Sequence, residues 1–508
     1  MNLINYSSTA WSILPPILAL VLAVFTRRVI LSLSVGIIVG AIMLTDANIL
    51  QSIEYLFHDI ANLGYNMDEH TFNWNNIDII LFLLLLGVLT ALLSVSGSNQ
   101  AFAIWAQKHI KNRRGAKLMA ASLVFVTFID DYFHSLAVGA IARPVTDKFR
   151  VSRAKLAYIL DSTAAPMCVL MPISSWGAYI ITLISGLLGT YAITSYSPMG
   201  AFMVMSSMNY YAIFSILMVF FVSYFAFDIG PMAKSEKLAQ EYPREDDVIT
   251  NVNGHVRNLI LPILTLIIVT VFSMIYTGFQ VLSDNHQAFS ILGAFENTTV
   301  GISLVVGGLS SILVATICIM LDRKITRLDY AKAWVIGIRS MLGAVIILCF
   351  AWTINNVVAD MQTGKYLSSL ISGNLPIATL PALLFLLSAI MAFSTGTSWG
   401  TFGIMLPIAA AIAASASPDL MLPCLSAVMA GAVCGDHCSP ISDTTILSST
   451  GARCDHMEHV TTQLPYAMTI ALASIVGYLV VGYTLSAFLG FIATAITLTI
   501  TILIIKKR

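Results

Sequence analysis

The chain has 508 residues, of which 57% are hydrophobic and 10% charged. Soluble domains carry about 25% charged residues, so this composition excludes a protein whose whole surface faces water. Lys plus Arg equals Asp plus Glu at 26 each, which gives no electrostatic reason to bind nucleic acid.

The apolar residues come in long runs. Residues 79–93, 259–281, 297–321 and 461–505 contain no Asp, Glu, Lys or Arg. Runs of about 20 apolar residues are long enough to cross a bilayer as helices, and lipid requires each span to pair its own backbone. A β-barrel would show short alternating segments instead. The N-terminus lacks the basic region and cleavage site of a signal peptide, so residues 11–25 read as a retained first span. The seven cysteines are odd in number and lie mostly in apolar segments, which argues against a disulfide framework.

Basic residues fall into seven clusters: Arg27-Arg28, Lys108–Lys117, Arg143–Lys155, Lys234–Arg257, Arg323–Arg339, Arg453 and Lys506–Arg508. The positive-inside rule places these in the cytoplasm. Lys365 then faces out, the N-terminus is outside and the C-terminus inside. The stretches 45–76, 190–198 and 279–298 lack Lys and Arg and are expected outside, with acids such as Asp59, Asp68 and Glu69. Residues 118–142 start and end at cytoplasmic clusters, so they predict a re-entrant hairpin or a pair of half-helices. Its middle holds Asp130, Asp131 and His134, which are tolerable only where backbone and carboxylates line a cavity inside protein.

Two stretches resemble one another about 275 residues apart: Asp161 to Ala178 and Asp436 to Ala452. Pro166 precedes Gly177 by the same spacing as Pro440 precedes Gly451. Upstream lie the hairpin at 118–142 and a second predicted hairpin near 381–416, in segments that reach Pro144 and Pro407. The charge topology gives the copies opposite orientation, the inverted repeat with broken helices found in secondary transporters. The expected division is N-terminal scaffold helices (1–76), a first repeat (77–190), scaffold helices with a cytoplasmic loop at 228–257 (191–339), a second repeat (340–453) and C-terminal scaffold helices (454–508).

Four polar constellations carry the chemistry. At Asp161, Ser162, Thr163 and Pro166, a proline break would free carbonyls beside a carboxylate and hydroxyls, a hard-oxygen cage suited to Na⁺. Between Cys434 and Thr445 lie Asp436, Ser439, Pro440, Asp443 and Thr444, a polar density that marks unwound backbone. Cys434, His437 and Cys438 lack a fourth ligand, so no transition-metal site is expected. Thr395, Thr397 and Ser398 flank Gly396, with Gly400 two residues further on, where hydroxyls and a half-helix N-terminus suit an ion or a substrate carboxylate. Asp130 and Asp131, with His134 one turn on, form a candidate proton-exchange group.

These residues resemble the NhaC family of Na⁺/H⁺ antiporters. The likeness lies in Thr127–Tyr132, Arg143–Asp147, Arg153–Tyr158, Asp161–Pro166, Gly396–Gly400 and Gly435–Pro440 through to Gly451-Ala452. It implies a bacterial inner-membrane carrier that exchanges Na⁺ for H⁺. Members are also linked to malate/lactate exchange and to amino-acid uptake, so Na⁺- or H⁺-coupled transport of an amino acid or small carboxylate is the alternative. A channel lacks a ring-forming filter motif here, and a zinc hydrolase lacks His-Glu-x-x-His.

The expectation is an all-α polytopic membrane protein with about eleven transmembrane helices plus two re-entrant hairpins. It is expected not to be an enzyme, to take no cofactor beyond transported Na⁺ and H⁺, and to form a homodimer by analogy with elevator-like carriers. Na⁺ is expected between the Asp161 and Asp436/Asp443 breaks, with both hairpin tips facing it.

Overall fold

The computed structural model describes residues 3–26, 28–67, 70–241, 254–322, 325–363, 366, 376–440 and 442–507. Arg27, Asp68, Glu69, Arg323, Lys365, Arg508 and residues 242–253 lie outside the described residues. Among the described residues helices dominate, with one short antiparallel pairing of Tyr65–Asn66 and Thr71–Phe72. Among the described residues, ten helices are long and apolar enough to cross a membrane. Counting Pro198–Ser207 and Tyr210–Phe225, bent by 52° at their junction, as one span makes eleven.

The helices sort by how much of their apolar surface is covered. The span Pro418–Cys438 is 89% buried, whereas Ala487–Lys506 is 17% buried and presents Phe488, Ile496 and Ile500 outward. Lipid solvates such side chains as well as a core does, so the outer helices need no second covering layer.

The N-terminus departs from the sequence expectation of one span at 11–25. A 3-10 turn, Ala10–Ile13, leads into Leu14–Thr26, and the chain continues as Val29–Leu44. These helices of 13 and 16 residues pack together, with Gly36 against the Pro15 carbonyl. Neither has the length of a simple crossing.

Both hairpins form. The first comprises Arg113–Ser122 and Val124–Thr127, a tip at 128–130, and Asp131–Lys148. The second comprises Leu380–Thr395, a tip at Gly396 and Thr397, and Ser398–Ala416, with Gly396 in the left-handed region at φ 69°. Each is followed by a broken helix: Arg153–Leu170 then Ser175–Thr190, and Met421–Cys438 then Asp443–Ala452.

The breaks lie where the chain enters Pro172 and Pro440. A residue before proline is driven out of the helical region. Met171 accordingly has φ −103° and ψ 121°, and Ser439 has φ −81° and ψ 126°. Each second half restarts on a serine cap: Ser174 accepts from the Gly177 amide and Ser442 from the Thr445 amide.

This corrects the expected break at Pro166. Pro166 lies inside Arg153–Leu170, a helix buried continuously from Ala154 to Val169. It removes one backbone bond but does not end the helix, so Asp161 sits on intact helix. The repeat register shifts as well. Arg113 and Leu380, and Asp131 and Ser398, start matching helices 267 residues apart; Arg153 and Met421, and Ser175 and Asp443, do so 268 apart. Pro172-Ile173-Ser174 matches Pro440-Ile441-Ser442 at that spacing.

Candidate functional site

Each hairpin tip is tied to the break of its own repeat. In the first, the Ser175 hydroxyl donates to Asp130 Oδ2 (3.1 Å), the Ser175 amide to the Ile129 carbonyl (2.8 Å) and Trp176 Nε1 to Asp131 Oδ1 (2.9 Å). In the second, the Ser398 hydroxyl donates to Asp436 Oδ2 (2.8 Å) and the Ser439 hydroxyl to the Phe393 carbonyl (2.7 Å).

The tips also reach across the repeats. Tyr132 of the first hairpin donates to Asp443 Oδ2 at the second break. Reciprocally, Tyr179 beyond the first break donates to the Trp399 carbonyl of the second hairpin at 3.2 Å. Trp176 and Tyr179 pack on Trp399 and Phe402, with centroid separations from 4.5 to 6.4 Å. This apolar cluster adjoins the Asp131 carboxylate through Trp176.

Asp161 is fully buried. Its Oδ2 accepts from Gln463 Nε2 (2.6 Å) and the Thr445 hydroxyl (3.2 Å) and faces His459 Nε2 (3.1 Å). None of these partners is a permanent cation. Oδ1 of Asp161 is buried without a hydrogen-bond partner, as are Asp131 Oδ2 and Asp436 Oδ1. Among the described residues no three His, Cys, Asp or Glu side chains converge tightly enough to hold a metal ion.

The remaining predicted residues divide. Thr163 lies beside His134, which sits between it (3.0 Å) and Thr127 (2.6 Å), so the His134 ring touches hydroxyls rather than the acids. Ser162 is buried one residue from Asp161. Thr444 bonds the Ser442 hydroxyl at 2.9 Å. Thr395 turns back to its own helix, donating to the Met391 carbonyl. Thr397 begins its helix with no side-chain cap bond.

Sequence reasoning missed His459, Gln463, Trp176, Tyr179 and Tyr132. His459 and Gln463 are four apart, hence on one face of His456–Thr484. Two such polar residues at the start of an otherwise apolar span were the available signal. That helix was expected to be scaffold, yet it supplies two of the three side chains on Asp161 Oδ2.

A cavity of about 480 Å³ lies elsewhere, lined by Asn62, Asn76, Thr182, Thr298, Trp352 and Asn356 among others. Beside it Asn356 Nδ2 donates to Asp59 Oδ1 (2.5 Å), and Tyr55 donates to Asp360 (2.7 Å). Asp59 belongs to Ile49–Asn62, which is not among the spans. Burial pushes its carboxyl up to about 6, with the Asp360 charge adding and the Asn356 bond opposing.

The Na⁺/H⁺ antiporter family matches residues 167–483. An uncharacterized protein of Haemophilus influenzae is 66% identical over 100% of this chain and 98% of its own length. The malate-2H⁺/Na⁺-lactate antiporter of Bacillus subtilis is 34% identical over 161 residues, 30% of this chain and 33% of that protein. Among solved structures, the YdaH transporter of Alcanivorax borkumensis superposes with a TM-score of 0.51 at 14% identity, covering 87% of this chain and 88% of that one, a likeness of fold. With its many apolar helices, paired hairpins and broken helices, the chain belongs to the Na⁺/H⁺ antiporter family and is a multi-pass membrane protein and secondary transporter.

Proposed function

We propose that the protein is a Na⁺/H⁺ antiporter of the bacterial inner membrane that works by alternating access, with its N-terminus outside and its C-terminus in the cytoplasm. The observation that carries this reading is Asp161: a carboxylate buried completely, bonded on one oxygen and unpartnered on the other, with no permanent cation touching it. A buried charge is costly unless it is paired. Na⁺ and H⁺ are two small cations that can each relieve it, and competition between them gives exchange.

In this reading Asp161 binds Na⁺ with Ser162 and Thr163, and Asp436, Ser439, Asp443 and Thr444 complete the site from the second break. Asp130, Asp131 and His134 exchange protons. Thr395, Thr397 and Ser398 contact the ion or substrate at the second tip. The protein works as a homodimer in lipid, uses no cofactor beyond its transported ions and catalyses no covalent step.

The test uses purified protein in proteoliposomes loaded with a pH-sensitive dye. A pH gradient is imposed, and Na⁺, Li⁺ and K⁺ are added in turn without organic solute. Collapse of the gradient by Na⁺, absent in Asp161→Asn, is the expected result. No response to any cation, or full activity in Asp161→Asn, removes the reading.

A second reading is Na⁺- or H⁺-coupled transport of a small carboxylate or amino acid. It is favoured by the name of the Bacillus subtilis relative and by the uncapped helix start after Thr397, whose amides suit a carboxylate. Uptake of labelled malate, lactate and amino acids driven by a Na⁺ gradient distinguishes it.

A further inference from the structure

The side chain of Gln463 has a fixed orientation. Its amide nitrogen carries two hydrogens, and they go to two acceptors: Asp161 Oδ2 at 2.6 Å and the His437 carbonyl at 2.8 Å. Flipping the amide would set its oxygen against both acceptors, so the assignment of nitrogen and oxygen is determined by the partners. The carbonyl oxygen Oε1 is left over. It is buried, and it has no hydrogen-bond partner. Gln463 itself is 1% exposed.

The same surplus recurs around this carboxylate. Asp161 spends Oδ2 on three partners and leaves Oδ1 with none. His459 directs Nε2 at Asp161, which makes that nitrogen the donor, and its Nδ1 is buried without a hydrogen-bond partner. Two hydrogen-bonded neighbours, Asp161 and Gln463, thus each carry a buried oxygen that no donor answers. Buried polar atoms are almost always satisfied, and an excess of acceptors without donors is the pattern a bare cation satisfies. Both oxygens suit a hard monovalent ion.

We infer that Gln463 is a cation ligand, its side-chain carbonyl joining Asp161 Oδ1 in the Na⁺ site. This rests on the antiport reading above and deepens it: the site is completed by a helix, His456–Thr484, that lies outside both hairpins and both broken helices. The two hydrogens of Gln463 hold the Asp161 helix to the end of the Asp436 helix, and its oxygen serves the ion. A cation at this position therefore bears on the packing of the first repeat against the second.

The experiment measures ²²Na⁺ binding, with Li⁺ as competitor, to the purified full-length protein in detergent at pH 8. Three proteins are compared: wild type, Gln463→Leu and Gln463→Glu. Leucine removes both the donors and the ligand oxygen. Glutamate removes the donors but keeps an oxygen. A ligand role predicts that Q463L weakens Na⁺ binding by about tenfold or more and changes the Na⁺ to Li⁺ preference, while Q463E binds Na⁺ within about tenfold of wild type. A purely structural donor role predicts the reverse order, because a second carboxylate set against Asp161 is worse than leucine. That order, or wild-type affinity and ion preference in Q463L, overturns the inference. If Q463L does not accumulate, Q463E decides alone: retained Na⁺ binding supports the ligand role and loss overturns it. Wild-type protein that binds no Na⁺ removes the antiport reading and this inference with it, an outcome distinct from the variant results.

Discussion

Tyr132 of the first hairpin donates a hydrogen bond to Asp443, the residue that opens the half-helix after the second break, across 311 positions of sequence. With the reciprocal bond from Tyr179 to the Trp399 carbonyl, it ties each hairpin to the opposite repeat. Hydrogen bonds to a charged group contribute about 1.5–3 kcal/mol. Tyr132→Phe keeps the ring and removes the donor. It is expected to lower the melting temperature in detergent and to slow Na⁺-driven proton exchange several-fold. Unchanged exchange would show that the bond is not used in transport.

Gly139 and Gly451 form the second tie between the same two elements. A Cβ on Gly139 would lie 2.6 Å from the Gly451 carbonyl carbon, and one on Gly451 would lie 2.3 Å from the Ser135 oxygen. The neighbouring Ser135 and Ser448 hydroxyls bond at 3.2 Å. Small residues allow such close approach between membrane helices. Gly451→Val is expected to force the hairpin off the half-helix, at a cost of about 1–3 kcal/mol, and to abolish exchange. Size-exclusion profiles and transport rates check this, with Gly343→Val as control, since nothing lies within 4 Å of a Cβ there.

Lys155 and Asp228 make an ion pair of 2.6 Å in which the lysine is fully buried. It also meets the Tyr466 hydroxyl at 3.4 Å and the rings of Tyr158 and Tyr466. Removing one member of a buried pair strands the other, which costs about 3–5 kcal/mol. Asp228→Asn is expected to lower thermal stability by that order. A melting temperature equal to wild type would mean that Lys155 finds other compensation.

Asp59 supplies a pH dependence of stability. Its carboxyl titrates near 6 in the folded protein against 3.8 ordinarily. A raised folded value means that the native state holds its proton longer than the unfolded chain. The stability this provides is complete below about pH 4 and is lost as the pH rises through 6, a difference of about 3 kcal/mol by pH 8. Asp59→Asn retains an acceptor for Asn356 and never ionises. It is expected to melt above wild type at pH 8 and to converge with it toward pH 4. Parallel melting curves across that range would contradict the burial argument.

Much of the hairpin and break geometry was legible because its causes are local. Gly396 can take the left-handed turn that other residues resist, and adjacent Asp130 and Asp131 cannot face lipid. The repeat register was misread by a few residues because Pro166 and Pro172 look alike as letters. Only Pro172 is followed by a serine cap in the pattern of Pro440 to Ser442, and that three-residue match places the break correctly.

What the sequence determined by itself is the class of protein: helices from uncharged apolar runs, membrane from composition, and two hairpins with two breaks from glycine, proline and clustered polar residues. These are properties of short segments and of the bilayer as solvent. What only the tertiary structure decided is which side chains meet. Asp161 is bonded by His459 and Gln463, some 300 residues distant, and its partnered and unpartnered oxygens follow from that contact. A polar residue on a span records that it needs a partner. Which partner it finds depends on how the helices pack, and that is a property of the whole chain.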